Sequence, residues 1–139
     1  MAGAVTDRLL PARSRRCPGQ RWISIALRSV HLVGVAGLGG AFLYSNPAEG
    51  AWLPYAWLTL ISGGLMMALA VWNHGIWLFQ MRGLAVLLKL GLLAVLLLLP
   101  AFAPTIFLLV IVLSGVFSHA PAYVRYYSPW HRCVVHAPE

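Results

Sequence analysis

Almost no charge interrupts the chain between residues 22 and 120, and this feature constrains the fold most strongly. The charged residues of that stretch are Arg28, Glu49, Arg82 and Lys89. Of the 139 residues, 60% are hydrophobic and 9% are charged, whereas a soluble domain carries about 25% charged residues. Such a chain has too little polar surface to cover a water-excluded core. The composition therefore excludes an ordinary soluble enzyme, a disordered tail and a disulfide-stapled secreted domain, and it indicates lipid as the solvent.

Four apolar runs are long enough to cross a bilayer as helices. They predict transmembrane helices at about 22–44, 55–77, 83–99 and 105–120, and turn formers such as Asn46, Pro47 and Gly50 separate the first two. Pro121 closes the last run. The predicted fold is all-α: a polytopic membrane protein with an antiparallel four-helix bundle at 22–120. A basic N-terminal tail at 1–21 and an aromatic and basic C-terminal tail at 121–139 flank it.

The positions of the ten basic residues predict the orientation of these helices. Basic residues collect on the cytoplasmic side of membrane proteins. With four spans and both termini inside, every basic residue lies on or nearest to that side. The basic residues that mark it are Arg8, Arg13, Arg15, Arg16, Arg21, Arg28, Arg82, Lys89, Arg125 and Arg132. We therefore expect a multi-pass protein of a bacterial inner membrane with both ends in the cytoplasm.

Two other interpretations of the basic N-terminal segment are less favoured. Nucleic-acid binding is one, but a membrane anchor explains the same arginines. A cleaved signal peptide is the other, but the run to Tyr44 is long for a signal core and contains Arg28 and His31. Cys17 and Cys133 both fall on the reducing side and do not have metal-site spacing, so we expect two unpaired thiols.

Ionisable residues inside a membrane span are costly and are therefore functional candidates. The candidates are Arg28, His31, His74, Lys89 and His119. At about 1.5 Å per residue, His31 lies roughly 14 Å and Lys89 roughly 10 Å from the inner helix ends. His74 and His119 lie at most roughly 12 Å and 9 Å from theirs. The sequence therefore predicts one polar group from each helix in the cytoplasmic leaflet.

Haem b is the cofactor that suits this set of residues best. A histidine can bind the iron, with His31 preferred and His74 or His119 as a second ligand. Arg28 or Lys89 can pair with the propionates. Gly34 and Gly37, one and nearly two turns above His31, could seat the ring. The alternatives are structural: plain helix packing for the glycines, interhelical hydrogen bonds or helix caps for the histidines, and snorkelling for Arg28 and Lys89.

Other site chemistries fit the sequence less well. No span contains a carboxylate or a pair of histidines at metal-ligand spacing, and no glycine-rich phosphate loop is present. Ser118 and His119 are adjacent, which on a helix places their side chains on different faces. We therefore do not expect a metal centre without haem, or a hydrolase.

Two short stretches resemble known haem-associated membrane proteins. Leu27–Tyr44 (LRSVHLVGVAGLGGAFLY) resembles the first helix of the copper-resistance D type domain and of four-helix membrane protoporphyrinogen oxidases, whose histidine matches His31. Arg82–Leu93 (RGLAVLLKLGLL) resembles their third helix, whose lysine matches Lys89. The resemblance covers about thirty residues. It implies a four-helix bundle with haem b or porphyrin binding.

Three functions follow as hypotheses. The first is a small membrane protein that binds haem b or a porphyrin in the cytoplasmic leaflet and serves electron transfer. The second is a non-catalytic accessory or assembly subunit of a larger membrane complex, bound through small-residue helix faces. The third is a porphyrin-oxidising enzyme. In each case the lipid bilayer is a partner and nucleic acid is not.

Overall fold

The predicted all-α fold class is confirmed. A computed structural model describes residues 17–43 and 50–135, together with Arg15. The long helices are α1 (Gln20–Leu43), α2 (Leu53–Asn73), α3 (Met81–Leu98) and α4 (Ala103–His119). All four are long and apolar enough to cross a membrane, with the turn at Pro100–Phe102 extending the last one. Most of the predicted N-terminal tail, the loop residues Asn46, Pro47 and Glu49, and His136 lie outside the described residues.

Short elements join and follow these helices. A 3₁₀-helix at Gly75–Phe79 lies between α2 and α3, and another at Pro100–Phe102 forms the turn between α3 and α4. After α4 come a one-turn helix, α5 (Ala122–Arg125), and two short strands, β1 (Tyr127–Ser128) and β2 (Cys133–Val134). The strands pair antiparallel, with Tyr127 opposite Val134 and Ser128 opposite Cys133. Within the described residues, these two strands are the only β-structure.

The chain packs as two compact units. The first unit, Arg16–Ala70, contains α1 and most of α2 in an antiparallel hairpin. Its helices approach closely because two glycines of α1 face α2. A Cβ at Gly34 would collide with Thr59, and a Cβ at Gly37 would collide with the ring of Tyr55. Glycine is the residue that permits such an approach between helix backbones in a membrane.

The described part of the second unit consists of Arg15, the last turn of α2 and residues 74–135. Its centre is the α3–α4 hairpin, where Ala85 and Leu96 of α3 and Ala103 and Phe107 of α4 are buried. Most other large apolar side chains of the described helices are exposed, including Leu97, Leu98 and Val112. Exposed apolar faces of this kind are expected where lipid, rather than water, surrounds the helices.

The predicted extent of the second helix is wrong at its C-terminal end. The α-helix stops at Asn73, whereas the largely apolar sequence predicted a helix through about Trp77. His74 has extended backbone angles (φ −168°, ψ 121°), and its Nδ1 accepts a hydrogen bond from the Ile76 N–H. The side chain therefore caps the following 3₁₀-helix, and a helical His74 could not do so.

The segment after Pro121, expected to be a tail, is folded as far as Val135. The side chain of Gln80 donates from Nε2 to the Val135 carbonyl oxygen at 2.6 Å. The Val135 N–H in turn donates to the Tyr126 carbonyl oxygen at 3.0 Å. These bonds attach the strand pair to the start of α3. The sequence carries no local signal for a contact between residues 55 positions apart.

Candidate functional site

His31 is the histidine of the first unit, and its side chain makes polar contacts with α2. Its Nδ1 lies 3.0 Å from the Thr59 carbonyl oxygen and 3.1 Å from the Ser62 Oγ. The Ser62 hydroxyl donates to the Leu58 carbonyl oxygen at 2.6 Å. Ser62 is buried and His31 is half-buried. The α1–α2 interface therefore contains a hydrogen-bonded polar centre among apolar side chains.

The Thr59 contact fixes the tautomer of His31. A carbonyl oxygen only accepts, so the Nδ1 of His31 carries the proton and donates it. In the neutral ring the Nε2 is then unprotonated, which is the state required of a nitrogen that binds iron. A carbonyl partner on the other ring nitrogen is also the usual support of a metal-binding histidine. His31 therefore has the correct tautomer for an axial ligand.

The space beside the two glycines that were predicted to seat a porphyrin is filled by side chains and backbone of α2. Thr59 and Tyr55 fill the space beside Gly34 and Gly37, so these residues serve helix packing, which was the alternative interpretation. A third glycine, Gly63, lies under the imidazole: a Cβ there would stand 3.1 Å from the Cε1 of His31. The imidazole fits a haem iron, but the predicted seat for the ring does not fit the macrocycle.

Arg28 does not share the inward position of His31. The two residues are three positions apart and were expected on one face of the helix. Arg28 is exposed, whereas His31 is half-buried against α2. Snorkelling toward the headgroups, the alternative interpretation of this arginine, agrees with its exposure.

His74 is buried, with 7% of its surface exposed, and its Nδ1 is already bonded. Accepting from the Ile76 N–H at 3.2 Å requires an unprotonated Nδ1, so the proton of the neutral ring lies on Nε2. This tautomer is the opposite of that of His31. In this conformation His74 cannot bind iron through Nε2 without losing the cap.

The other two predicted site residues of the second unit, Lys89 and His119, do not form a common site. Lys89 donates from Nζ to the Ser114 Oγ at 3.2 Å, and Ser114 donates to the Val110 carbonyl oxygen at 2.8 Å. The lysine therefore joins α3 to α4. His119 is exposed in the last turn of α4. Among the residues that the structure describes, no group of three or more His, Cys, Asp or Glu side chains could hold a metal ion.

Sequence reasoning missed the hydrogen-bond partners of His31 and Lys89. Thr59 and Ser62 lie three positions apart on α2, which places both hydroxyls on one face of an otherwise apolar helix. Hydroxyl side chains are common bridges between membrane helices. The spacing of these two residues was the available signal.

A second polar cluster, at the start of α3, was not predicted as a site. We call it the basic cap, and it consists of Gln80, Arg82, Arg125 and Tyr126. Gln80 is fully buried and accepts from the Nε of Arg82 at 2.6 Å. The guanidinium carbons of Arg82 and Arg125 lie 4.7 Å and 5.8 Å from the centroid of the Tyr126 ring. Two positive charges therefore share one aromatic ring.

Comparisons with known proteins do not identify the chain. No family model, curated protein or solved structure matches it.

Proposed function

We propose that this protein is a multi-pass protein of a bacterial inner membrane, with both ends cytoplasmic, that acts as a non-catalytic accessory or assembly subunit of a larger membrane complex. The proposal accounts for four apolar helices with interhelical polar bonds and exposed small residues. The lipid bilayer and the helices of a partner protein are its surroundings.

One observation carries this proposal: two of the ionisable groups inside the apolar helices bond within their own hairpins. His31 bonds to Thr59 and Ser62 across α1 and α2, and Lys89 bonds to Ser114 across α3 and α4. Such bonds hold membrane helices together. A catalytic site instead needs a nucleophile, base or acid directed at a substrate.

Open glycines supply the second support. A Cβ added at Gly64, Gly91 or Gly115 would meet nothing within 4 Å, and all three residues are exposed. Gly64 and Ala68, one turn apart on α2, form a small-residue pair of the kind that admits a second helix. The described glycines that pack within the first unit, such as Gly34, have no such space.

The test is purification of the tagged chain at native abundance in a mild detergent. We expect a stoichiometric larger complex and a colourless isolated chain. Gly64→Leu should reduce the recovered partner about tenfold, because the leucine side chain blocks close helix approach. Val112→Leu, which adds bulk at another exposed position, is the matched control. Recovery of the chain alone from wild-type membranes would contradict the proposal.

Binding of haem b through His31 is the second candidate function. The bond between the His31 Nδ1 and the Thr59 carbonyl oxygen favours it, because this bond leaves Nε2 in the ligand tautomer. When bound, haem supplies an iron that carries one electron. The contribution of the chain is to orient the imidazole through Thr59 and Ser62.

The visible spectrum of the purified protein tests this candidate. After haem-replete expression, a Soret band that is lost in His31→Ala and kept in His119→Ala would support ligation by His31. A colourless wild-type protein would eliminate haem binding. A band that persists in His31→Ala would assign the iron to another ligand.

A further inference from the structure

We propose that Arg82 and Arg125 form a binding site for a phosphate group, and that this phosphate belongs to the headgroup of an anionic lipid. The inference concerns the basic cap and is independent of the accessory role and of haem binding. It rests on the charge, the hydrogen bonding and the position of this arginine pair.

The first support is that the described residues include no counter-charge for this arginine pair. The acidic residues of the sequence are Asp7, Glu49 and Glu139, and all of them lie outside the described ranges. Within those ranges, therefore, no carboxylate is available to either arginine. Arg82 and Arg125 both lie against the ring of Tyr126, close enough for their charges to repel each other. An anion bound to both guanidinium groups would offset this repulsion.

The second support is an unused donor. The Nε of Arg125 is buried and has no hydrogen-bond partner, one of two such side-chain atoms in the described part of the chain. A buried donor on a charged group that finds no acceptor destabilises the fold. A merely solvated arginine would keep this nitrogen in water. The burial indicates that an acceptor completes the site.

The third support is the fixed orientation of Arg82. Its Nε donates to the Oε1 of Gln80, and Gln80 is held by the Val135 carbonyl oxygen. Gln80 is fully buried, so this arrangement is rigid. Arg82 keeps its terminal nitrogens for a further acceptor, because its described hydrogen bond uses Nε alone. A guanidinium held in this way presents its planar pair of donors to two oxygens of one phosphate.

The position of the cap favours a lipid as the source of the phosphate. Arg82 is the second residue of α3, and Arg125 follows the end of α4 by six residues, so both lie where the spans of this hairpin end. Exposed aromatic rings lie in the same segment: Tyr123 and Trp130, with Trp130 packed edge-on against Phe79 at 6.3 Å. Aromatic side chains of this kind mark the headgroup level, where basic pockets bind anionic lipids.

Native mass spectrometry of the full chain in a neutral detergent tests the site. The probes are phosphatidylglycerol and phosphatidylcholine at equal concentration. We expect wild-type protein to retain phosphatidylglycerol in preference. Arg125→Gln and Arg82→Gln should each weaken retention about tenfold or more, the change expected for loss of a charge-assisted hydrogen bond. Equal retention of the two lipids by the wild-type protein would overturn the proposal.

Arg132→Gln is the matched control. Arg132 is an exposed arginine of the turn between β1 and β2, a few residues from the cap, and the substitution removes the same charge. It should leave retention within about twofold. If Arg132→Gln weakened retention as much as Arg125→Gln does, attraction to general positive charge would explain the binding, and the site would be rejected.

Two further arms keep the result decisive. Arg125→Lys keeps the charge but lacks the planar guanidinium and its Nε–H, so retention should fall between those of wild type and Arg125→Gln. If Arg125→Gln fails to fold, Arg125→Lys takes its place. Retention of the lipid at the wild-type level by Arg125→Lys would overturn the proposal that the Arg125 Nε–H contacts the phosphate. Inorganic phosphate forms the other arm: a free-phosphate site would bind it without lipid, which would overturn the lipid assignment.

Discussion

The Nδ1 of His31 donates to the main-chain carbonyl oxygen of Thr59 at 3.0 Å, and this bond joins α1 to α2 within the apolar part of both helices. The Ser62 hydroxyl, 3.1 Å from the same nitrogen, completes the polar centre. Gly63 lies beneath the ring, where a Cβ would come within 3.1 Å of it. The hydrogen bond therefore satisfies the donor of His31, and the glycine beneath the ring allows the two helices to approach closely.

His31→Ala should destabilise the α1–α2 hairpin. The loss of an interhelical hydrogen bond in a membrane protein costs about 1 kcal/mol. Reversible unfolding in mixed micelles measures this change. His119→Ala, at an exposed position, should have no effect. A variant at position 31 as stable as the wild type would show that the bond contributes nothing.

Gly34→Ala should destabilise the same hairpin more strongly. The new methyl group would meet the backbone nitrogen of Thr59 at 2.9 Å and the carbonyl oxygen of Tyr55 at 3.0 Å, neither of which can rotate away. Forced overpacking of this kind costs about 1–3 kcal/mol. Gly64→Ala is the control, because nothing lies within 4 Å of its Cβ. Equal stability of the two variants would show that the helices do not approach at Gly34.

His74→Ala should loosen the 3₁₀-helix at Gly75–Phe79. The substitution removes the acceptor for the Ile76 N–H, and loss of an N-cap costs about 1 kcal/mol. Hydrogen exchange of this segment, measured by mass spectrometry, should become about fivefold faster. His74→Asn carries a side-chain acceptor at a similar distance from the backbone and should keep most of the protection. Fast exchange in the wild-type segment would mean that the cap is not formed.

Gln80→Ala should release the C-terminal strand pair from α3. The change removes the bonds to Val135 and to the Arg82 guanidinium, each contributing about 1 kcal/mol or more. Tryptic cleavage after Arg132 should then accelerate about tenfold. Ser118→Ala, at an exposed position on α4, is the reference variant. An unchanged cleavage rate would indicate that the strand pair is held by other contacts.

The two native cysteines allow the proposed orientation to be tested without introducing further cysteines. Cys17 precedes α1, Cys133 lies in β2, and both thiols are exposed. If both ends are cytoplasmic, a membrane-impermeant maleimide should label each thiol in inverted vesicles and neither in intact spheroplasts. Cys17→Ser and Cys133→Ser assign the signal to one position. Labelling of either thiol from outside would refute the proposed orientation.

The sequence predicted the helices well because lipid imposes a simple rule. A span must be predominantly apolar, so the apolar runs on either side of the turn formers placed the first two helices within a few residues of their observed ends. The break at His74 escaped prediction because apolar residues continue on both sides of it. Only the backbone geometry of His74 and its bond to the Ile76 N–H mark the end of α2.

The sequence predicted individual residues of the candidate site but not the contacts between them. Depth selected five ionisable residues, and two of these, His31 and Lys89, bond to a neighbouring helix. Their partners could not be found the same way, because Thr59 and Ser114 are ordinary residues in any membrane helix. The basic cap was missed for a different reason. It depends on Gln80 meeting Val135, a contact that no local pattern of sequence encodes.

The acceptor of the His31 bond belongs to the main chain, so every amino acid at position 59 would provide it. Mutation at that position can change how α1 fits, through the space beside Gly34, but it cannot delete the bond. In contrast, the imidazole of His31 and the absence of a side chain at Gly63 each depend on one particular amino acid. Over evolutionary time the histidine and the glycine should therefore be inherited together, while the residue whose carbonyl oxygen accepts the hydrogen bond is free to vary.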